Sequence, residues 1–246
     1  MSHFDVYGRM ARAKDLSNTT QNGRYLAQEH AEQYVPQDII EKLKPTDKDI
    51  FLDIGCGLGL NLDPISKLVS EAHACDHPNV IEKLKLNNPD LSASLFGGSF
   101  LEINFEKKYT KMLAYSVLPA LPNKDTVYAF VDKALSIMDS SGVTLLGDLA
   151  NIDKKKRFMD SQRGERFQKE WDSLRSQSTQ NENISEFQKP EDVAAVIMDD
   201  GFILTLIQHI RKQGFHAYLV DQPQSLPFGN SREDIMIIGP EYKDRA

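Results

Sequence analysis

A chain of 246 residues that is 40% hydrophobic can bury a substantial core, and nothing in it forces a split into two comparable domains, so residues 1–246 read as a single domain. Its formal charge of −7 argues against a nucleic-acid partner, because neutralising phosphates is the main sequence-independent source of that affinity. No stretch approaches about 18 consecutive apolar residues and the start lacks a basic region followed by an apolar run, so no membrane span is expected and a cytoplasmic location is.

Residues 1–45 carry helical spacing, with Tyr25, Leu26, Glu29, His30 and Gln33 in one segment and Ile39, Ile40 and Leu43 in the next. Pro36 separates the two segments and Pro45 closes the second. The pattern predicts a helical N-terminal cap folded over the open end of a sheet, where ligands bind. Tyr7, Tyr25, His30 and Tyr34 are then either lid residues or plain packing.

The apolar run Ile50-Phe51-Leu52-Asp53-Ile54 stops in glycines at alternate positions, Gly55, Gly57 and Gly59. It predicts a buried parallel strand followed by a turn whose backbone comes close to a ligand. A dinucleotide fingerprint would place its third glycine at position 60, which is Leu60, so a dehydrogenase is the least favoured reading. Glu71 to Asp76 reads as a second strand ending in a carboxylate roughly 20 residues past the first glycine, the distance at which an acid meets ribose hydroxyls. Turn and acid together point to a nucleoside-bearing cofactor. Cys56 and Cys75 lack metal-ligand spacing; no metal is expected, and both read as small packing residues in a reducing compartment.

Asn61 to Leu68 predicts a helix with Asp63 as cap and Pro64 in its first turn, its free amides, from Cys56 through Asn61, facing the cofactor. A Pro-started helix follows at Pro78, then a short strand Ala93 to Phe96, a fourth strand Lys111 to Ser116 and a helix Thr126 to Met138. Val143 to Asp148 is the fifth strand. Residues 154–185 interrupt the alternation with a charged helical insertion that ends in the polar run Ser176 to Asn183, read as a mobile loop. Its Lys154-Lys155-Lys156-Arg157 run is read as a solvated face. Helices over Pro190 to Asp199 and Phe202 to Lys212 precede strands Phe215 to Val220 and Asp234 to Ile238, a hairpin at the sheet edge.

The stretches Leu52-Asp53-Ile54-Gly55-Cys56-Gly57, Asp76-His77-Pro78, Tyr115-Ser116-Val117-Leu118, Gly147-Asp148-Leu149-Ala150-Asn151 and Leu226-Pro227-Phe228 carry a family resemblance. The chain resembles class I S-adenosylmethionine-dependent methyltransferases, of the bacterial kind associated with surface-polysaccharide and sugar modification. The resemblance implies an α/β, Rossmann-like, seven-stranded mostly parallel sheet with an antiparallel last strand, and methyl transfer from S-adenosylmethionine. Gly55, Gly57 and Gly59 would contact its methionine half, Asp76 the ribose, His77 and Phe100 the adenine surroundings, and Ser99 the adenine amino group. Asp53 would support the turn and reach the methionine ammonium, with Tyr115 and Ser116 flanking the sulfonium. Pro119 and Ala120 depart from the histidine or aromatic that relatives often carry there.

Transfer from an activated sulfonium needs chiefly alignment and desolvation, and a hydroxyl acceptor benefits from a base. The expected acceptor is a small polar molecule, a sugar or sugar derivative, with Asp148 or His30 as base. A protein or peptide methyltransferase and a non-catalytic cofactor-binding module are the alternatives. Oligomeric state is not readable.

Overall fold

The computed structural model describes residues 2–13, 16–21, 24–178, 193 and 195–243. The chain opens with helix α1, His3–Arg12, started by a reciprocal cap in which the Ser2 hydroxyl accepts the Asp5 N–H and the Asp5 carboxylate accepts the Ser2 N–H. Val6 and Met10, one turn apart, are buried on its inner face. Short helices α2 (Asn18–Gln21) and α3 (Glu29–Glu32) lead to α4 (Val35–Leu43), where Pro36 sits in the first turn and its missing N–H leaves no bond unmade. The helical cap expected over the first 45 residues is present.

Strand and helix then alternate through β1 (Ile50–Ile54), α5 (Leu62–Ser66), β2 (Glu71–Asp76), α6 (Pro78–Asn87), β3 (Ser94–Gly97), β4 (Tyr109–Tyr115), α7 (Lys124–Ile137) and β5 (Met138–Ala150). The charged insertion folds as α8 (Ile152–Met159) and α9 (Gln162–Ser178), and α10 (Asp200–Lys212), β6 (His216–Asp221) and β7 (Arg232–Ile238) complete the chain. The seven-stranded sheet has the order β3-β2-β1-β4-β5-β7-β6. β7 runs antiparallel to β5 and β6, and the remaining pairs are parallel. The closing hairpin lies at the sheet edge as expected, with β6 outermost and β7 joining it to β5. Among the described residues no helix is long and apolar enough to cross a membrane.

Period-two alternation sorts the core onto two faces. Leu52, Ile54, Met112 and Ala114 point to the face covered by α7 and α10. Phe51, Leu113, Tyr115 and Leu145 point to the face covered by α4, α5 and α6. Each of the fully buried leucines contributes about 1.5–3 kcal/mol of burial.

Three local expectations need correction. Asp63 does not cap α5; the N-cap position is Asn61, and Asp63 pairs with Lys67 at 2.7 Å instead. The polar run at Ser176 is helical through Ser178, because α9 continues, and the rest of that run lies outside the described residues. The helix expected over Pro190 to Asp199 falls partly outside them too, but residues 195–199 are not helical. There Met198 bridges Asn151, and Asp199 caps α10 by accepting the Phe202 N–H.

Candidate active site

The strand order reverses between β1 and β4, and such a switch point leaves a crevice outside the carboxyl ends of the strands. An open cavity of about 230 Å³ lies there, lined by Gly55 to Leu58 after β1, Asp76 at the end of β2, and Tyr115 to Val117 at the end of β4. Gly55, Gly57 and Gly59 have φ of 74°, 53° and 86°, a region that favours glycine. A Cβ on Gly55 would lie 2.5 Å from Val117 Cγ2, so the turn also needs the missing side chain to sit against β4. The turn is tied to the second strand: Asp76 Oδ2 accepts the Gly57 N–H at 2.8 Å and Oδ1 accepts the His77 N–H at 2.6 Å. Each carboxylate oxygen keeps a further lone pair for a ligand hydroxyl.

Buried acceptors without a donor gather around this cavity. Gln21 Oε1 and Asn61 Oδ1, both on residues that line it, and Asp53 Oδ2 at the end of β1 have no partner among the described residues. Such groups are costly unless a ligand supplies the donor. Burial, helped by the nearby Asp76, pushes the Asp53 carboxyl up to about 8. Burial also raises Asp76, to about 6, against the two backbone N–H groups that stabilise its charge. The cradle fits a ligand with a positively charged donor at Asp53 and a pair of hydroxyls at Asp76.

Behind the β4 wall lies a buried ionic cluster. Asp148 Oδ2 receives a hydrogen bond from Arg24 at 2.8 Å and another from the Ser116 hydroxyl, and Arg24 also donates to Ser116 Oγ. Arg232 Nε stands 3.7 Å from Asp148 Oδ1. The Asp148 N–H is accepted by Asp234, which Lys42 pairs at 2.7 Å while also holding Asp38. Ser116 and Asp148 adopt φ of 62° and 59°, left-handed conformations that cost non-glycine residues about 1–3 kcal/mol and are held by the surrounding bonds. The β5–β7 register breaks between Leu146 and Leu149, a bulge that re-aims Asp148 toward Arg24.

No family model and no curated protein matches the chain. Solved structures do. An N-methyltransferase, NodS from Bradyrhizobium japonicum WM9 in complex with S-adenosyl-L-homocysteine, is 10% identical, with TM-score 0.61 over 98% of this chain and 100% of that one. Magnesium protoporphyrin IX methyltransferase from Synechocystis PCC 6803, with SAH bound, is 12% identical, with TM-score 0.59 over 96% of this chain and 94% of that one. The plantazolicin methyltransferase BpumL, in complex with a desmethyl plantazolicin analogue and SAH, is 15% identical, with TM-score 0.55 over 96% of each. The chain has the fold of these methyltransferases.

Within this methyltransferase fold, the residues expected at the site divide into two groups. Gly55, Cys56, Gly57, Asn61, Asp76, Tyr115 and Ser116 line the cavity. Gly59 and Asp53 are not among the lining residues; Gly59 is packed so that a Cβ would meet Leu84 at 2.8 Å. Ser99, Phe100 and His77 are not brought into it. The Phe100 ring is buried 4.7 Å from Phe130 with the Lys133 ammonium over it, and Ser99 supplies its carbonyl to Glu102 and Ile103. The His77 ring caps α6 by accepting the Asn79 N–H and packs on Phe4.

Neither expected base reaches the cavity. Burial would raise the Asp148 carboxyl, but Arg24, Arg232 and Ser116 together hold it below the ordinary range, and it is fully buried. A covered, ion-paired carboxylate is a poor base and a good anchor for Arg24. His30 is exposed, its Nδ1 2.7 Å from the Gln33 amide and its ring against Tyr34. The cap contributes other residues instead. His3, Tyr7 and Ala11 line the cavity from one face of α1, and Gln21, Arg24 and Glu32 join them. Tyr7 was among the lid candidates; for His3 and Ala11 the signal was the helical spacing 3, 7, 11.

Proposed function

We propose that this chain transfers a methyl group from S-adenosylmethionine to a hydroxyl of a small polar acceptor, with a sugar or surface-polysaccharide precursor as the acceptor class that the sequence resemblance favours. The observation that carries the reading is the cavity at the switch point, where a left-handed glycine turn, an Asp76 with open lone pairs and a donor-less Asn61 converge, with Asp53 buried two residues before the turn. The solved structures with SAH bound share this fold and support the same cofactor here. When bound, S-adenosylmethionine supplies an activated methyl group.

Asp76 would hold the ribose hydroxyls, Asn61 and Asp53 the methionine ammonium, and Tyr115 with Ser116 the wall beside the reacting end. Arg24, fixed by Asp148 and Ser116, holds the inner wall rigid so that the acceptor is aligned rather than merely bound. α1 closes the cavity with Phe4 and Tyr7 and limits water there. Glu32 is buried, lines the cavity and lies near enough to Arg24 to act on its charge, so it is the carboxylate placed to take the acceptor's proton. The test is incubation with S-adenosylmethionine carrying a deuterated methyl group and a panel of sugar-derived acceptors, read by mass spectrometry. Label transfer is expected, with Glu32→Gln slowing kcat by about 10²–10⁴ at unchanged cofactor affinity. Labelling of none of the acceptors would remove the sugar reading, and full turnover in Glu32→Gln would remove the base.

A further inference from the structure

A second cavity, about 380 Å³, opens between the α8–α9 insertion and the segment before β7. Its chemistry differs from that of the chain as a whole. The protein carries a formal charge of −7, yet this cavity is lined by Lys155 and Arg232, and among the described residues no Asp or Glu side chain lines it. Lys155 is exposed on α8 and makes no ion pair among the described residues. Arg232 is only loosely neutralised, since its 3.7 Å approach to Asp148 meets a carboxylate that Arg24 already holds at 2.8 Å.

Three of the side-chain amides have donors left over, while Gln168 spends its own on Asp172. Gln28 uses its oxygen on the Tyr25 N–H, and Gln224 and Asn230 use theirs on Arg163, so these three lining residues keep amide N–H groups that no partner among the described residues takes up. A ligand that engages these amides together with Lys155 and Arg232 brings acceptors and negative charge. The apolar part of the wall is aromatic. Phe158, Phe167, Trp171 and Phe228 line it, with Trp171 and Phe167 stacked at 6.2 Å. Phe228 is held at φ 59°, with the Arg232 guanidinium 5.0 Å from its ring centre. Flat faces of this kind take a ring.

We propose that this second cavity binds a small anion, carboxylate or phosphate, that carries a ring. It adjoins the first, because Arg24 lines that cavity while its guanidinium lies 5.4 Å from the Phe228 ring that lines this one. Identifying the anion with the methyl acceptor rests on the proposed methyl transfer; the binding itself does not.

Trp171 is the single tryptophan of the chain, so its fluorescence reports on this cavity alone. The intact protein, without cofactor, is titrated with benzoate against benzamide and with a glucose phosphate against glucose. A saturable change with either anion, and a much weaker response to its neutral partner, is expected. Benzoate alone would mark an aromatic acid, and the glucose phosphate alone a phosphorylated sugar. Lys155→Glu, an exposed substitution that leaves the fold alone, should weaken binding about tenfold, the loss of one charge-assisted hydrogen bond. Equal response to the neutral partners, no saturation with either anion, or unchanged affinity in Lys155→Glu would overturn the proposal. A parallel titration with S-adenosylmethionine separates the two readings, since failure of cofactor binding leaves the Trp171 response intact.

Discussion

Asp53 carries an unusual load for a carboxylate at the end of a central strand. It titrates near 8 in the folded protein against an ordinary value of 3.8, because burial and then Asp76 disfavour its charge. Between those values the folded state holds a proton that the unfolded state has lost, so folding stability falls as pH rises across that window. Asp53→Asn removes the charge and keeps the shape. It should therefore raise the Tm of the ligand-free protein above pH 8, by about 2–4 °C for each kcal/mol recovered, and much less near pH 5. Melting curves at the two pH values decide this, and an equal shift at both would show that the Asp53 charge is not the source. The positions of Asp53 and Asp76 could be read from the sequence, since Asp53 lies in the strand that runs into the glycine turn and Asp76 ends the next strand. The tethering of Asp148 could not, because its partners Arg24 and Arg232 lie far from it along the chain and reach it only through the cap and the β5–β7 bulge.

At the scale of elements, the site depends on α1 lying close against α6. Gly8 makes that contact possible: a Cβ there would sit 2.4 Å from the His77 ring, which is itself committed to capping α6 and packing on Phe4. Gly8→Ala should therefore push α1 outward, cost about 1–3 kcal/mol and weaken cofactor binding, because α1 carries His3 and Tyr7 to the cavity. Thermal melting with calorimetric titration checks this; a variant with unchanged Tm and affinity would show that α1 is no part of the site. Most elements were legible because their signals are local. β1 and β2 are apolar runs with the expected bounds, and Pro78 starts α6 as a first-turn proline should. β5 is longer than expected, since it begins at Met138 directly after α7, where Asp139-Ser140-Ser141-Gly142 resembles a turn. The edge hairpin was legible, but that β7 rather than β6 pairs with β5 was not, because strand order is set by long-range packing rather than by residue type. The turn of Phe100 into the α7 core has the same origin.

Across the whole molecule, two cavities of opposite character share the wall formed by Arg24 and Phe228. The first offers carboxylates and donor-less oxygens to a cationic, hydroxyl-bearing ligand; the second offers cations and amide donors to an anion. The first lies at the switch point of the sheet, outside the carboxyl ends of its strands, where ligands of open α/β sheets bind. The most direct test of this account is isothermal titration of the wild type with S-adenosylmethionine and, separately, with NAD, repeated with Asp76→Ala. The account predicts binding of S-adenosylmethionine in preference to NAD, and its loss in an Asp76→Ala variant that keeps its fold. Absence of S-adenosylmethionine binding, equal affinity for NAD, or full affinity without the Asp76 carboxylate would contradict it.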